Sequence, residues 1–163
     1  MKLSAENYTS QRVLLQMRKQ AWIVWSVSFL VIFLWVFLIL LAPLAETYNS
    51  ASISHPVYTF FSYVCHQMPE RSFHLAEHPF AVCSRCFGVY FGLFAGFVVY
   101  PLLVKIEETE PLPRFWLFLA MIPIGIDWTL GVFGIWENTH WSRFVTGAIL
   151  GAACAVFIIP ALV

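Results

Sequence analysis

Cys83 and Cys86 form a Cys-x-x-Cys pair, and Cys65-His66 precede it in the same segment. A Cys-x-x-Cys pair can chelate one ion from a single turn, and Cys65 with one histidine completes the four tetrahedral ligands that zinc prefers. Thiolates are soft donors, which argues against calcium or magnesium. The expected metal ligands are therefore Cys65, His66, Cys83 and Cys86, with zinc the expected ion. Adjacent side chains diverge in both helix and strand, so Cys65 and His66 share an ion only where the backbone turns. His74 or His78 is the alternative fourth ligand, and this His-x-x-x-His pair would align on one helix face. It lacks the Glu of the zinc-protease helix. Water or substrate in the fourth position would make the centre catalytic rather than structural.

The rival chemistry is redox. A thiol at a helix N-terminus has a lowered pKa, and Cys83 and Cys86 open an apolar segment. Cys-x-x-Cys at the outer end of a helix in a four-helix membrane protein resembles the architecture of quinone-linked thiol oxidases. Those enzymes pass oxidising equivalents through a second cysteine pair, and here only Cys65 remains nearby. An odd count weakens a relay and favours a metal. Haem attachment is disfavoured because Phe87 follows Cys86. The plainest alternative is a Cys83–Cys86 disulfide, or inert thiols, among solvated histidines. Cys154 lies in the last apolar segment and reads as a small packing residue.

The elements that must position these residues are membrane helices. The chain has 163 residues, 60% of them hydrophobic and only 11% charged, against about 25% charged in a soluble domain. Roughly 20 apolar residues cross a bilayer as a helix, because lipid cannot satisfy exposed backbone polar groups. Four segments qualify: residues 21–42, 87–104, 115–133 and 144–163. The expected fold is all-α, a single polytopic domain over 1–163. It is a four-helix transmembrane bundle with a long Cys/His-rich loop, 43–86, between the first two spans. The first apolar run is too long for a cleaved signal peptide. Net charge is zero with no basic run, so a nucleic-acid partner is not expected.

Lys/Arg placement sets orientation. Lys2, Arg12, Arg18, Lys19, Lys105 and Arg114 fall on one side; Arg71, Arg85 and Arg143 fall on the other. Both termini are thus expected to be cytoplasmic, in the cell (inner) membrane, with the cysteines outside. Trp22, Trp25 and Trp116 sit near expected inner ends, and Trp128, Trp136 and Trp141 near outer ones. The tail 8–20 reads as an interfacial helix or as a lead-in to the first span. Residues 53–64 read as an interfacial segment, with Pro56 in its first turn.

Gly88, Gly92 and Gly96 share one helix face, as do Gly147, Gly151 and Ala155. Small residues at this spacing let membrane helices approach closely, so the second and fourth spans are expected to pack there. The alternative is that a stripe faces another copy of the chain or another subunit of a membrane complex. Asp127 is the single acid within a span, and such residues usually face the bundle interior. Arg85 and Arg143 begin neighbouring spans on the same side, so either could pair with Asp127. Asn138, Thr139 and His140 could complete the rim of a pocket, and Arg71 with Ser72 could bind an anion. A structural ion pair is the plain reading of Asp127. A small-solute carrier would need more polar groups in the spans than Asp127 supplies.

The motif Cys65-His66-Gln67-x-Pro69-x-Arg71-Ser72-Phe73, then Cys83-x-Arg85-Cys86-x-Gly88-x-Tyr90-x-Gly92, resembles a family of small prokaryotic membrane proteins known as a domain of unknown function. Arg143-x-x-Thr146-Gly147-x-x-x-Gly151 also resembles it, so the likeness runs from about residue 62 to 151. Phe87 departs from the small or hydroxylated residue of the pattern. The resemblance implies a multi-span membrane protein with a Cys/His motif, and it leaves metal and redox chemistry both open.

Overall fold

A computed structural model describes residues 5–106 and 112–163 of the chain. Lys2, one of the charges that set the expected orientation, lies outside the described residues. Among those described there are five α-helices: α1 Ala5–Thr47, α2 Ala51–Ser62, α3 Ser84–Leu103, α4 Phe115–Val132 and α5 His140–Leu162. Of these, α1, α3, α4 and α5 are long and apolar enough to span a membrane. The four-span reading holds, with boundaries adjusted by local chemistry.

Helix α1 is far longer than its apolar run. Its 43 residues extend about 65 Å at 1.5 Å per residue, so the basic tail is continuous with the span and is not a separate interfacial helix. Asn49 ends it with φ 54, the left-handed conformation that closes helices; Ser50 N–H donates to Ala45 O at 2.8 Å. Helix α5 starts four residues earlier than its apolar run, because the Thr139 hydroxyl accepts from Ser142 N–H at 3.1 Å and caps it. Arg143 therefore lies in the first turn of α5, and His140 opens the helix rather than sitting in a loop.

The 43–86 segment is not an irregular loop. It holds α2, a single 3-10 turn at Pro69–Arg71, and a two-stranded hairpin, β1 His74–Leu75 and β2 His78–Pro79. Pro56 sits in the second turn of α2, not its first. Ala76 and Glu77 both have positive φ, as a tight hairpin turn requires. His74 and His78 are thus on opposed strands, with His74 facing Pro79 and Leu75 facing His78. The expectation that the two histidines share a helix face fails, because the turn between them reverses the chain. The hairpin is fixed to α2 by the Tyr58 hydroxyl, which donates to Pro79 O at 2.6 Å. Burial, helped by the Glu46 charge, pushes the Tyr58 phenol up to about 12.

The core of the bundle is the α3–α5 pair. Gly88 abuts the backbone of Phe144, Gly92 that of Ala148, and Gly96 the Ala152 backbone and Ala155 side chain. In return Gly147 meets Arg85 O and Gly151 meets Val89 O. Contact positions advance together along both helices, so α3 and α5 run parallel. Their backbones touch because no Cβ separates them. Spans two and four pack through the glycine stripes as the spacing predicts. Helix α1 lies across this pair. It contributes Ile39 and Ala42 to a cluster at one end of the bundle with Phe61, Ala81 and Val82. It adds Trp25, Phe29 and Ile32 to a cluster at the opposite end, around Phe97, Tyr100 and Ile159. Helix α4 packs mainly on α5 and buries one residue, Asp127.

A Cβ on Gly92 would occupy the space of Ala148 backbone atoms, which cannot yield as a side chain can. Gly92→Leu is expected to cost about 2–3 kcal/mol, the upper range for overpacking. Gly125→Ala meets nothing within 4 Å and is expected to be neutral or stabilising by up to about 1 kcal/mol. Thermal melts of the purified variants in detergent check both; equal melting of Gly92→Leu and the wild type would mean that the glycine contact is not structural.

Candidate thiol centre and its arginine-lined cavity

Parallel packing brings the N-terminal ends of α3 and α5 side by side. Cys83 is the N-cap residue of α3, and Cys86 sits in its first turn. Cys65 arrives from the end of α2, where its N–H donates to Phe61 O at 2.9 Å. The Cys65 sulfur accepts the Cys83 backbone N–H at 3.2 Å. The Cys86 and Cys83 side chains lie close enough to act on the same sulfur. No disulfide joins them.

Hydrogen bonds decide which thiol ionises most readily. The Cys86 thiol, the Cys83 and Gln67 backbone amides and the Cys83 thiol hold the Cys65 thiol down to about 5, against the opposing effect of burial. Cys83 is pushed up, first by burial and then by its bond to Cys65, while the Met68 amide and Ser72 hydroxyl act the other way. The sequence points to the Cys-x-x-Cys pair for a lowered thiol, through the helix dipole. At Cys83 that effect is outweighed by burial, and the activated thiol is Cys65 because it collects the donors.

The local fold explains the Cys-His-Gln triplet. Gln67 takes φ 48, turning the chain after Cys65. Its side-chain amide donates to Tyr58 O and to Ala81 O, both at 2.8 Å. One residue thus ties the end of α2 to the segment entering α3, and so sets the Cys65–Cys83 approach. Gln67 is a positioning residue that the motif contains but that ligand spacing does not reveal. Ser72, fully buried, donates to Met68 O at 2.9 Å and keeps the 3-10 turn beside Cys83.

His66 is exposed and lines the same cavity as the three cysteines. His74 and His78 do not line it. The thiols meet in pairs about Cys65. Among the described residues, no set of three His, Cys, Asp or Glu side chains surrounds a common point for an ion.

The cavity is about 530 Å³, with Arg71, Arg85, Arg143 and Asn138 on its polar wall. Arg85 Nη2 donates to Asp127 Oδ2, so of the two expected partners it is Arg85 that takes the buried acid. Asn138 Nδ2 supports the same acid, donating to Asp127 O at 2.6 Å and Oδ2 at 3.2 Å. Arg71 and Arg143 have no ion-pair partner among the described residues. His140 points elsewhere: its Nδ1 is 3.2 Å from the Ser84 hydroxyl and its ring packs on Phe73. It braces α3 against α5 and also borders an adjoining recess.

Residues 65–157 match a family described as "Predicted membrane protein (DUF2085)". An uncharacterised protein of Methanocaldococcus jannaschii is 38% identical over 144 residues, 87% of this chain and 92% of the relative. An uncharacterised protein of Methanothermobacter thermautotrophicus is 40% identical over 96 residues, 59% of this chain and 85% of the relative. No solved structure matches the chain. The matched segment holds the three clustered cysteines, the glycine stripes and Asp127, and spans more than half of the sequence; the chain belongs to the DUF2085 family of predicted membrane proteins.

Proposed function

We propose that this membrane protein carries a thiolate centre that binds a transition-metal ion, zinc by preference, at the outer end of its bundle. The observation that carries the reading is the meeting of Cys65, Cys83 and Cys86, from two separate segments, with no disulfide among them. Three neighbouring thiols, Cys65 buried and Cys83 and Cys86 half-buried, are soft donors, and deprotonated sulfur is the form that coordinates. An ion there would pin the turn after α2 to the start of α3, coupling metal binding to folding. His66, on the same cavity wall, is the protein ligand for the fourth position; water in its place leaves the centre open to substrate. Arg71, Arg85, Asp127 and Arg143 set the charge around the ion, while His140 holds the helices that frame it. The centre faces outward, and both termini are cytoplasmic, on the strength of the Lys/Arg distribution.

A second reading follows from the low-lying thiol of Cys65 next to Cys86. These two sulfurs would form a disulfide, giving two electrons and two protons to a membrane quinone. The redox pair is then Cys65–Cys86 rather than Cys83–Cys86. The chain is in either case a unit able to work alone, as a homo-oligomer or within a larger membrane assembly.

Elemental analysis and thiol counting on protein purified without chelator separate the two readings. The metal reading expects about one zinc per chain, the load of a single tetrahedral centre, lost in Cys83→Ser. Metal-free protein with a reducible Cys65–Cys86 disulfide would overturn it in favour of the redox reading.

With chelator present, modification of Cys65 by a small thiosulfonate should stay fast down to pH 6 and fall as pH drops through about 5, because only the thiolate reacts. Cys65→Ser should leave only reaction in the ordinary thiol range, and a wild-type profile falling near pH 8 would rule out the activated thiol. A green fluorescent protein fused after Val163 should fluoresce, and an alkaline phosphatase there should be inactive; the opposite pair of results would invert the proposed topology.

A further inference from the structure

Positive charge is concentrated at the thiol face beyond what the chain itself neutralises. Arg85 lies in the first turn of α3 and Arg143 in the first turn of α5. The N-terminal end of a helix already carries a partial positive charge, so cations there are unfavourable. Here two such ends lie together, since α3 and α5 are parallel and in backbone contact. Arg71 adds a third guanidinium to the same cavity.

Asp127 cancels Arg85 alone. The thiols do not cancel the rest. Three thiolates around a divalent ion leave one negative charge, and a single thiolate without an ion leaves the same. Arg71 and Arg143 supply two positive charges, so among the groups lining this cavity one is left over in either state. Glu70 and Glu137 line the adjoining recess with Arg71, Asn138 and Arg143, but neither is in ion-pair contact with them. Arg85 also keeps a buried Nε–H with no acceptor among the described residues, a donor for which burial without a partner is costly. Asn138 Oδ1, an acceptor, is likewise unpartnered and is suited to an arginine N–H. Guanidinium groups match tetrahedral and planar oxyanions through paired N–H donors.

We propose that this cavity is an oxyanion site, in which Arg71 and Arg143 clamp a phosphate-like group beside the thiols. The group is either a free anion or the phosphate of a lipid headgroup. Val64, Trp128 and Val132 supply an apolar wall to the same cavity, which fits either source at the membrane surface. The site shares the cavity of the proposed metal centre and therefore rests on that arrangement of the outer face, but it does not need the ion.

Inorganic phosphate titrated calorimetrically into the protein in dodecyl maltoside micelles, which carry no phosphate, tests this. Wild type should show one saturable site. Arg71→Gln and Arg143→Gln should each weaken it at least tenfold, and Arg143→Lys should lose less than Arg143→Gln. Arg114→Gln, at the other end of the bundle, should bind as wild type. Wild-type protein stripped of any ion with chelator and dialysed free of it should keep phosphate affinity within about threefold, so the failure of one proposal is distinct from failure of the other. Arg71 is on an exposed turn, so its variant keeps the test valid should Arg143→Gln not fold. When phosphatidylglycerol is added to the micelles, at least tenfold weaker phosphate binding identifies the headgroup as occupant; unchanged binding identifies the free anion. Absence of saturable phosphate binding in the lipid-free micelles, or wild-type binding by both arginine-to-glutamine variants, overturns the proposal.

Discussion

The parallel contact of α3 and α5 is the constraint on which the rest of the structure depends. In a bilayer there is no hydrophobic drive between apolar helices, so association relies on close van der Waals contact. Gly88, Gly92, Gly147 and Gly151 supply it by letting backbone meet backbone along the seam. Because the pair is parallel, two N-terminal helix ends share one face. That face therefore has a positive potential before any side chain is counted, and it is where the cysteines and arginines are placed. Stabilising thiolates and anions there follows from the direction of the two helices.

The segment between α1 and α3 completes this face by bringing Cys65 back to Cys83. Its own secondary structure is slight: α2, one 3-10 turn and a two-residue-per-strand hairpin. What fixes it is a small number of polar ties onto an apolar floor. Phe61, Ala81 and Val82 are fully buried against Ile39 and Ala42, while Gln67 and Tyr58 hold the backbone from α2 to Pro79 and Ala81. Each such bond contributes only about 1 kcal/mol net, but leaving a buried carbonyl of this segment without a donor would cost more. The loop is thus rigid where the thiols need it.

Charge and burial work against each other in the cavity. Asp127 is a buried acid paired to Arg85 and backed by Asn138. Breaking such a pair leaves a stranded charge at a cost of about 3–5 kcal/mol. This anchors α4, which is otherwise packed mainly on α5, to the first turn of α3. The same pair takes Arg85 out of competition for the thiols and leaves Arg71 and Arg143 without an ion-pair partner among the described residues.

Composition and spacing by themselves determined the number of spans, because bilayer thickness and backbone hydrogen bonding admit few solutions. The four-residue glycine period determined the α3–α5 seam for a similar reason: a helix face is a local property. The gathering of Cys65 with Cys83 and Cys86, and of Asp127 with the arginines, was legible as one membrane face. The tertiary structure decided what local patterns cannot carry. Positive φ at Ala76 and Glu77 set His74 and His78 on opposed strands, where an i, i+4 reading aligns them. The Thr139 cap drew Arg143 into α5. Arg85, rather than Arg143, won Asp127. The low thiol is Cys65, whose sulfur is reached by donors from Gln67, Cys83 and Cys86. A thiol's ionisation depends on which donors converge on it, and those donors come from segments that only the folded chain brings together.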